Sequence, residues 1–164
     1  MPRIWFIGLI LALLTGCASV LPPELREQVD RQVSFEELQR DPASYRGRMV
    51  VLGGEILGQY IYEDHVELEI LERPLSEGRD NPKLRALSRG RFRISHREPL
   101  EPAVYRTGRP ITVAGLVQGG QALPGQDVAS PVIEPKYLYL WPDRPFPRFS
   151  HFPGHLFHHR RFCD

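Results

Sequence analysis

With 164 residues, 21 Lys+Arg against 20 Asp+Glu and a formal net charge of +1, the chain suits one domain plus tails. Such near-neutrality excludes a global electrostatic pull towards nucleic acid or anionic lipid. The 16 Pro and 14 Gly suit a small β domain with extended tails.

The first stretch, Met1 to Cys17, holds one charge, Arg3, then an apolar run from Ile4 to Leu14 broken only by Gly8, then the small residues Thr15 and Gly16. A basic start, a short apolar core and a small-residue exit are the parts of a secretory signal peptide, here residues 1–16. The run is shorter than the about 20 apolar residues a membrane span needs. Leu14-Thr15-Gly16-Cys17 resembles a bacterial lipobox, which makes Cys17 the candidate lipidation site: only a thiol carries a diacylglyceryl group as a thioether. Two or more acyl chains give stable anchoring. Ala18 and Ser19 follow, without the Asp that favours inner-membrane retention in enteric bacteria, so the outer membrane is the expected destination. With Cys17 acylated, Cys163 has no partner in the chain for a disulfide.

Residues 17–33 read as a tether: Pro22-Pro23 is stiff, and Glu24 to Arg31 offers a short polar helical turn with few apolar residues to bury. Ser34 followed by Glu37 is a capping box, and predicts a helix over Phe35–Arg40 with Phe35 and Leu38 on one face. A first strand runs from Met49 through Gly53-Gly54, a bulge or bend, to Tyr62; Glu63-Asp64-His65 is a hairpin turn. Val66, Leu68 and Ile70 alternate with Glu67 and Glu69 in a second strand with one wet face. Arg73 to Arg89 is a loop with a turn of helix at Leu84 to Leu87, and Arg91 to Ile94 is a third strand. In the fourth, Ile111, Val113, Gly115 and Val117 share one face and leave Thr112 and Leu116 on the other, where Thr112→Asp is expected to be milder than Val113→Asp. Gln121 to Ser130 is a loop open to contact with whatever binds here. The last strand comprises Val132-Ile133 and Tyr137 to Trp141, interrupted at Pro135. Five or six strands with one short N-terminal helix predict an all-β domain over 34–142: a small antiparallel OB-like barrel, with a β-sandwich as the alternative. Residues 143–164 form a Pro-, His- and aromatic-rich tail without an apolar period, expected to be disordered.

Several short motifs recur in a fixed order: Phe35-x-x-Leu38 with Pro42, Tyr45-x-Gly47, Val51-x-Gly53-Gly54-x-Ile56, Arg89-Gly90-Arg91-Phe92, Tyr105-x-x-Gly108-Arg109, Thr112-Val113-x-Gly115-x-Val117-x-Gly119, Pro131-Val132 and Leu138-x-Leu140-Trp141. With the lipobox, over residues 5 to 142, they resemble the Slp family, starvation-inducible outer-membrane lipoproteins of Gram-negative bacteria. The resemblance implies outer-membrane attachment facing the periplasm and no enzymatic activity. It does not account for the His-rich end after Arg144.

Three groups are candidates for chemistry. His151, His155, His158 and His159, with Cys163, have residue types that ligate zinc, copper or nickel, but their spacing matches no closed structural site, and solvated histidines are the plainer reading. Arg85, Arg89, Arg91, Arg93 and Arg97, with Phe92 and Tyr60, suggest a groove for nucleic acid or for lipid phosphates; the competing reading is an exposed face balanced by Glu67, Glu69 and Glu72. Tyr137, Tyr139 and Trp141 share a strand face, for packing or for a partner. Ser95-His96 and Asp64-His65 have no third partner in the pattern of a catalytic triad, so no catalytic residue is assigned. The expected function is a non-enzymatic, lipid-anchored envelope protein with no cofactor and no nucleic-acid partner, binding an envelope protein or glycolipid or maintaining the envelope under stress. The alternative is a periplasmic metal-binding protein that uses the tail.

Overall fold

A computed structural model describes residues 19–122 and 129–142. Five strands close into a barrel: β1 (Met49–Ile61), β2 (Val66–Glu72), β3 (Arg91–His96), β4 (Pro110–Gln121) and β5 (Ser130–Leu140), in the spatial order β1-β2-β3-β5-β4. This is the OB-like barrel, not the sandwich. All pairings are antiparallel except β3 with β5, which is parallel and brief, at Arg93↔Val132 and Ile94↔Ile133. The hairpin turn lies where the polar residues place it, closed by the Tyr62 N–H donating to the His65 carbonyl at 2.9 Å.

Period two decides what enters the barrel. Val50, Leu52 and Ile56 of β1, Val66, Leu68 and Ile70 of β2, Phe92 and Ile94 of β3, Ile111, Val113 and Val117 of β4 and Ile133 of β5 form one core. β1 serves two partners, pairing Met49–Glu55 with β4 and Gly54–Ile61 with β2. Gly54 sits at that changeover, where a Cβ would stand 2.3 Å from the Leu71 carbonyl oxygen. The strand therefore needs glycine for close backbone approach, while the bulge lies further on, between Ile56 and Gly58.

Two short helices precede the barrel. In α1 (Pro23–Gln28) a proline opens the helix. In α2 (Phe35–Arg40) Ser34 and Glu37 form the full capping box. Phe35 and Leu38 of α2 are buried in the core, and Phe35 meets Phe92 edge-on with ring centroids 6.3 Å apart, so α2 closes one end of the barrel. A 3-10 turn, Pro42–Tyr45, leads into β1.

Two regions differ from expectation. The segment expected as tether lies against the barrel from Ser19 onward: Leu21 (2 % exposed) and Val29 pack on Ala114, with Val20, Met49, Val51 and Tyr137 around them. α1 itself buries nothing, which is why its polar composition suggested a spacer; the two residues that hold it flank it. The outer face of β4 is also covered further along, and Thr112, correctly placed opposite Val113, is nonetheless 0 % exposed, its hydroxyl bonded to Asp80 and Trp141. Aspartate at 112 is therefore no milder than at 113. In the loop before β3, residues 83–86 make one hydrogen-bonded turn, Ala86 N–H to Lys83 carbonyl at 2.8 Å, rather than a helix.

Candidate functional site

The outer face of β2 and β3 is the first candidate, because it carries the arginines. Register sets Glu69 opposite Arg93 and Glu67 opposite Ser95, so each carboxylate reaches its arginine on the diagonal. Arg93 Nη1 donates to Glu67 at 2.8 Å, and Arg91 Nη1 to Glu69 at 3.0 Å. Arg89 donates to Glu72 at 2.5 Å and to Glu36 at 3.0 Å, and its guanidinium lies 5.7 Å from the Phe35 ring centre. The Arg93 guanidinium stacks 5.2 Å over Tyr60, whose hydroxyl donates to Glu69 at 3.1 Å. That bond, with the carboxylate charge beside it, pushes the Tyr60 phenol above its ordinary pKa. Phe92 points into the core and offers no stacking platform. Three of the five arginines are thus bound to glutamates; Arg85 is exposed in the loop, and Arg97 is exposed beyond β3.

Arg97 belongs to the second candidate, a cleft of about 410 Å³ lined by Ser95, His96, Arg97, Glu98, Gln118, Val132, Glu134 and Pro135. It opens where β3 and β5 part. Pro131 and Pro135 bracket the two paired positions of β5 and have no N–H to extend a ladder. Gln118 and Lys136 each donate to Glu134 at 2.6 Å, and Lys136 first, then the charge of Arg97 and the Gln118 bond, hold that carboxyl below its ordinary range. The His96 ring nitrogen Nδ1 lies 2.9 Å from the Glu98 carbonyl. The cleft therefore presents both charge signs and an imidazole, which suits recognition of a polar group.

The third candidate joins the start of the described chain to its last strand. Asp80 is 1 % exposed and adopts φ +59, a conformation few non-glycine residues take. Its carboxylate accepts from the Ser19 hydroxyl, and from Arg31 at 2.8 and 3.2 Å. Burial pushes its pKa up, but the bonds from Arg31 and Ser19 outweigh burial and hold it below its ordinary value. The Asp80 carbonyl accepts from Thr112 Oγ1 at 2.7 Å, which in turn accepts from Trp141 Nε1 at 2.9 Å. Tyr137 donates its hydroxyl to the Val20 carbonyl at 3.1 Å. The aromatic face of β5 thus packs outside the barrel: Tyr137 on the N-terminal segment, Tyr139 edge-on to Trp141 at 4.8 Å. Nothing in the sequence marked Asp80, which lies in a stretch without a period.

Asp64 and His65 pair at 2.7 Å in the first hairpin, with Tyr62 stacked on the imidazole, an arrangement that orders the turn. Cys17, the signal peptide 1–16, loop residues 123–128 and His151, His155, His158 and His159 lie outside the described residues. Among the described residues no three His, Cys, Asp or Glu side chains gather as a metal site, and no helix is long and apolar enough to cross a membrane.

A family model described as "Outer membrane lipoprotein Slp family" matches residues 14–160. The match starts at Leu14, the first lipobox position, and includes most of the His-rich end, which the resemblance over 5 to 142 had left unaccounted for. No curated protein matches the chain. Among solved structures, the small single-stranded DNA-binding protein from Streptomyces coelicolor aligns over 58 % of this chain and 93 % of its own, at 14 % identity and a TM-score of 0.40.

Proposed function

Because the chain belongs to the Slp family of outer membrane lipoproteins, we propose that it is a lipid-anchored, non-enzymatic binding protein on the periplasmic side of the outer membrane. Cys17 carries the acyl chains, and Ser19, two residues on, is bonded to the folded domain through Asp80. The ligand is a polar envelope component, a protein segment or the headgroup of a glycolipid, taken by the cleft between β3 and β5. One observation supports this reading above the others: the arginines of the β2–β3 face are bound to glutamates, while the cleft presents Arg97, His96 and Glu98 at its rim. An extended nucleic-acid strand needs the reverse, a continuous basic groove with exposed aromatic rings. The metal-binding alternative rests on His151, His155, His158 and His159, which lie outside the described residues.

Two measurements test the proposal. Labelled palmitate should enter the wild-type protein and not Cys17→Ser, because a hydroxyl forms no thioether; equal labelling of both would refute the anchor. A photo-reactive residue placed at Arg97 should cross-link to an envelope component in intact cells. The same group at Glu63, on the exposed hairpin tip, should not. Equal adducts from both positions would remove the cleft as the binding site.

A further inference from the structure

The ligand cleft is not the only surface with a partner. We infer that the face around Asp80 and Trp141 is the surface on which this domain sits against the lipid leaflet that holds its own acyl chains.

The inference rests on the acylation of Cys17 and on the geometry of the first described residues. Ser19 is fixed, because its hydroxyl is bonded to buried Asp80 and it accepts the Leu21 N–H at 3.1 Å. Two residue steps separate Cys17 from Ser19, a reach of at most about 7 Å even when fully extended. An acylated Cys17 lies at the membrane interface, so the bilayer surface must come within that distance of Ser19. The domain does not swing on a long tether, and it must present whatever surrounds Ser19 to lipid.

What surrounds Ser19 has the chemistry of an interface. The chain of bonds from Ser19 through Asp80 and Thr112 ends at Trp141. Trp141 lines a cleft of about 150 Å³ with Asn81, Pro82, Leu84, Pro110 and Pro142. A partly exposed tryptophan with an apolar body and a hydrogen-bonded N–H is the side chain most at home among lipid headgroups. Leu84 is flanked by exposed Lys83 and Arg85, which suit lipid phosphates, and Leu87, three positions on, is 90 % exposed. The loop's own acids do little to offset them, since Asp80 is bound to Arg31 and only Glu77 remains in residues 77–85. The far end of the molecule also exposes apolar side chains, Tyr60, Ile61 and Tyr62, but its turn carries the exposed acids Glu63 and Asp64, which lipid phosphates repel, and it lies far from the anchor. Tyr62 lies nine positions along β1 from Gly53, the partner of Thr112, up to about 30 Å of strand away.

The mature protein offers a direct probe. Of the two tryptophans, Trp5 lies in the cleaved leader, so Trp141 alone remains after processing. Purified acylated protein is reconstituted into phosphatidylethanolamine–phosphatidylglycerol vesicles made with and without dibrominated acyl chains, and flotation and tryptophan emission are read together. Trp141 emission should shift to the blue and be strongly quenched by the brominated lipid. In Trp141→Phe/Tyr62→Trp the reporter at the hairpin tip should float equally well and remain unquenched. Lys83→Glu/Arg85→Glu should float, keep its circular dichroism, and lose most of the Trp141 quenching. Flotation with no quenching of Trp141, or with equal quenching at both positions, overturns the orientation and leaves the anchor standing. Failure to float together with failure to incorporate palmitate overturns the anchor, and the orientation with it.

Discussion

The barrel has two outer faces built by the same alternation and used in opposite ways. On β2 and β3 the outward residues are Glu67, Glu69, Arg91 and Arg93; they pair with one another, with Tyr60 of the adjoining β1 against Arg93 and Glu69. On β1, β4 and β5 the outward residues are Val51, Thr112, Ala114 and Tyr137; Leu21 and Val29 pack with Val51, Ala114 and Tyr137, and Asp80 and Trp141 are bonded to Thr112. Charged residues that satisfy each other across strands need no cover. Small and apolar outward residues cannot satisfy water, and they draw in the nearest apolar side chains, Leu21 and Val29. The contrast explains why a segment of polar composition is folded: two side chains, each contributing roughly 1.5–3 kcal/mol when fully buried, suffice when the surface beneath is ready for them.

The largest expected effect comes from making the covered face resemble the charged one. Ala114→Asp would place an unpaired carboxylate beneath Leu21 and Val29 and should cost about 3–5 kcal/mol, read by urea unfolding of soluble protein lacking residues 1–17. The same change should make residues 19–31 sensitive to protease. Resistance equal to wild type would show that the cover does not depend on this face.

Asp80 tests the same cover from its polar side. Asp80→Asn removes the charge that Arg31 and Ser19 bind and should cost about 2 kcal/mol at neutral pH. The sign with pH follows from the direction of its shift. The folded-state pKa is lowered, so the contribution is fully present above the ordinary value of 3.8 and is lost as pH falls through the lower folded value. The gap between wild type and Asp80→Asn should therefore close on acidification below 3.8. A gap that widens there would reverse the assignment.

The uncovered face should respond least, and unevenly. Glu67→Ala strands Arg93, which is 9 % exposed, and should cost about 1–2 kcal/mol, between the values for exposed and buried pairs. Arg91→Ala removes a pair whose arginine is 45 % exposed and should cost about 0.5 kcal/mol or less. Equal losses in thermal melts of the two variants would mean that burial does not grade this ladder.

Much of this was legible from local pattern. The capping box at Ser34 and Glu37, the alternation of Val66, Leu68 and Ile70, and the shared face of Ile111, Val113 and Val117 all stand as read, because each is set by residues two to four apart. The pairing of Arg89, Arg91 and Arg93 with Glu72, Glu69 and Glu67 was likewise readable, since neighbouring strands bring alternate positions together, but the exposed, wet face was not: Glu67, Glu69, Glu72 and Arg93 are each 9 % exposed or less. Residues 19–33 were misread because Leu21 and Val29 are eight apart with a polar helix between them, which matches no period.

By itself, the sequence determined which residues form strands and which face of each strand is apolar. Only the tertiary structure decided what covers those faces. Ser19 meets Asp80 across 61 positions, Arg31 meets it across 49, and Tyr137 reaches Val20 across 117. The cleft beside Arg97 exists because two strands far apart in the chain run parallel for only two positions before they part. Periodicity reports the face a side chain takes within its own element. Which distant group meets that face depends on barrel closure, and closure is a property of all five strands together.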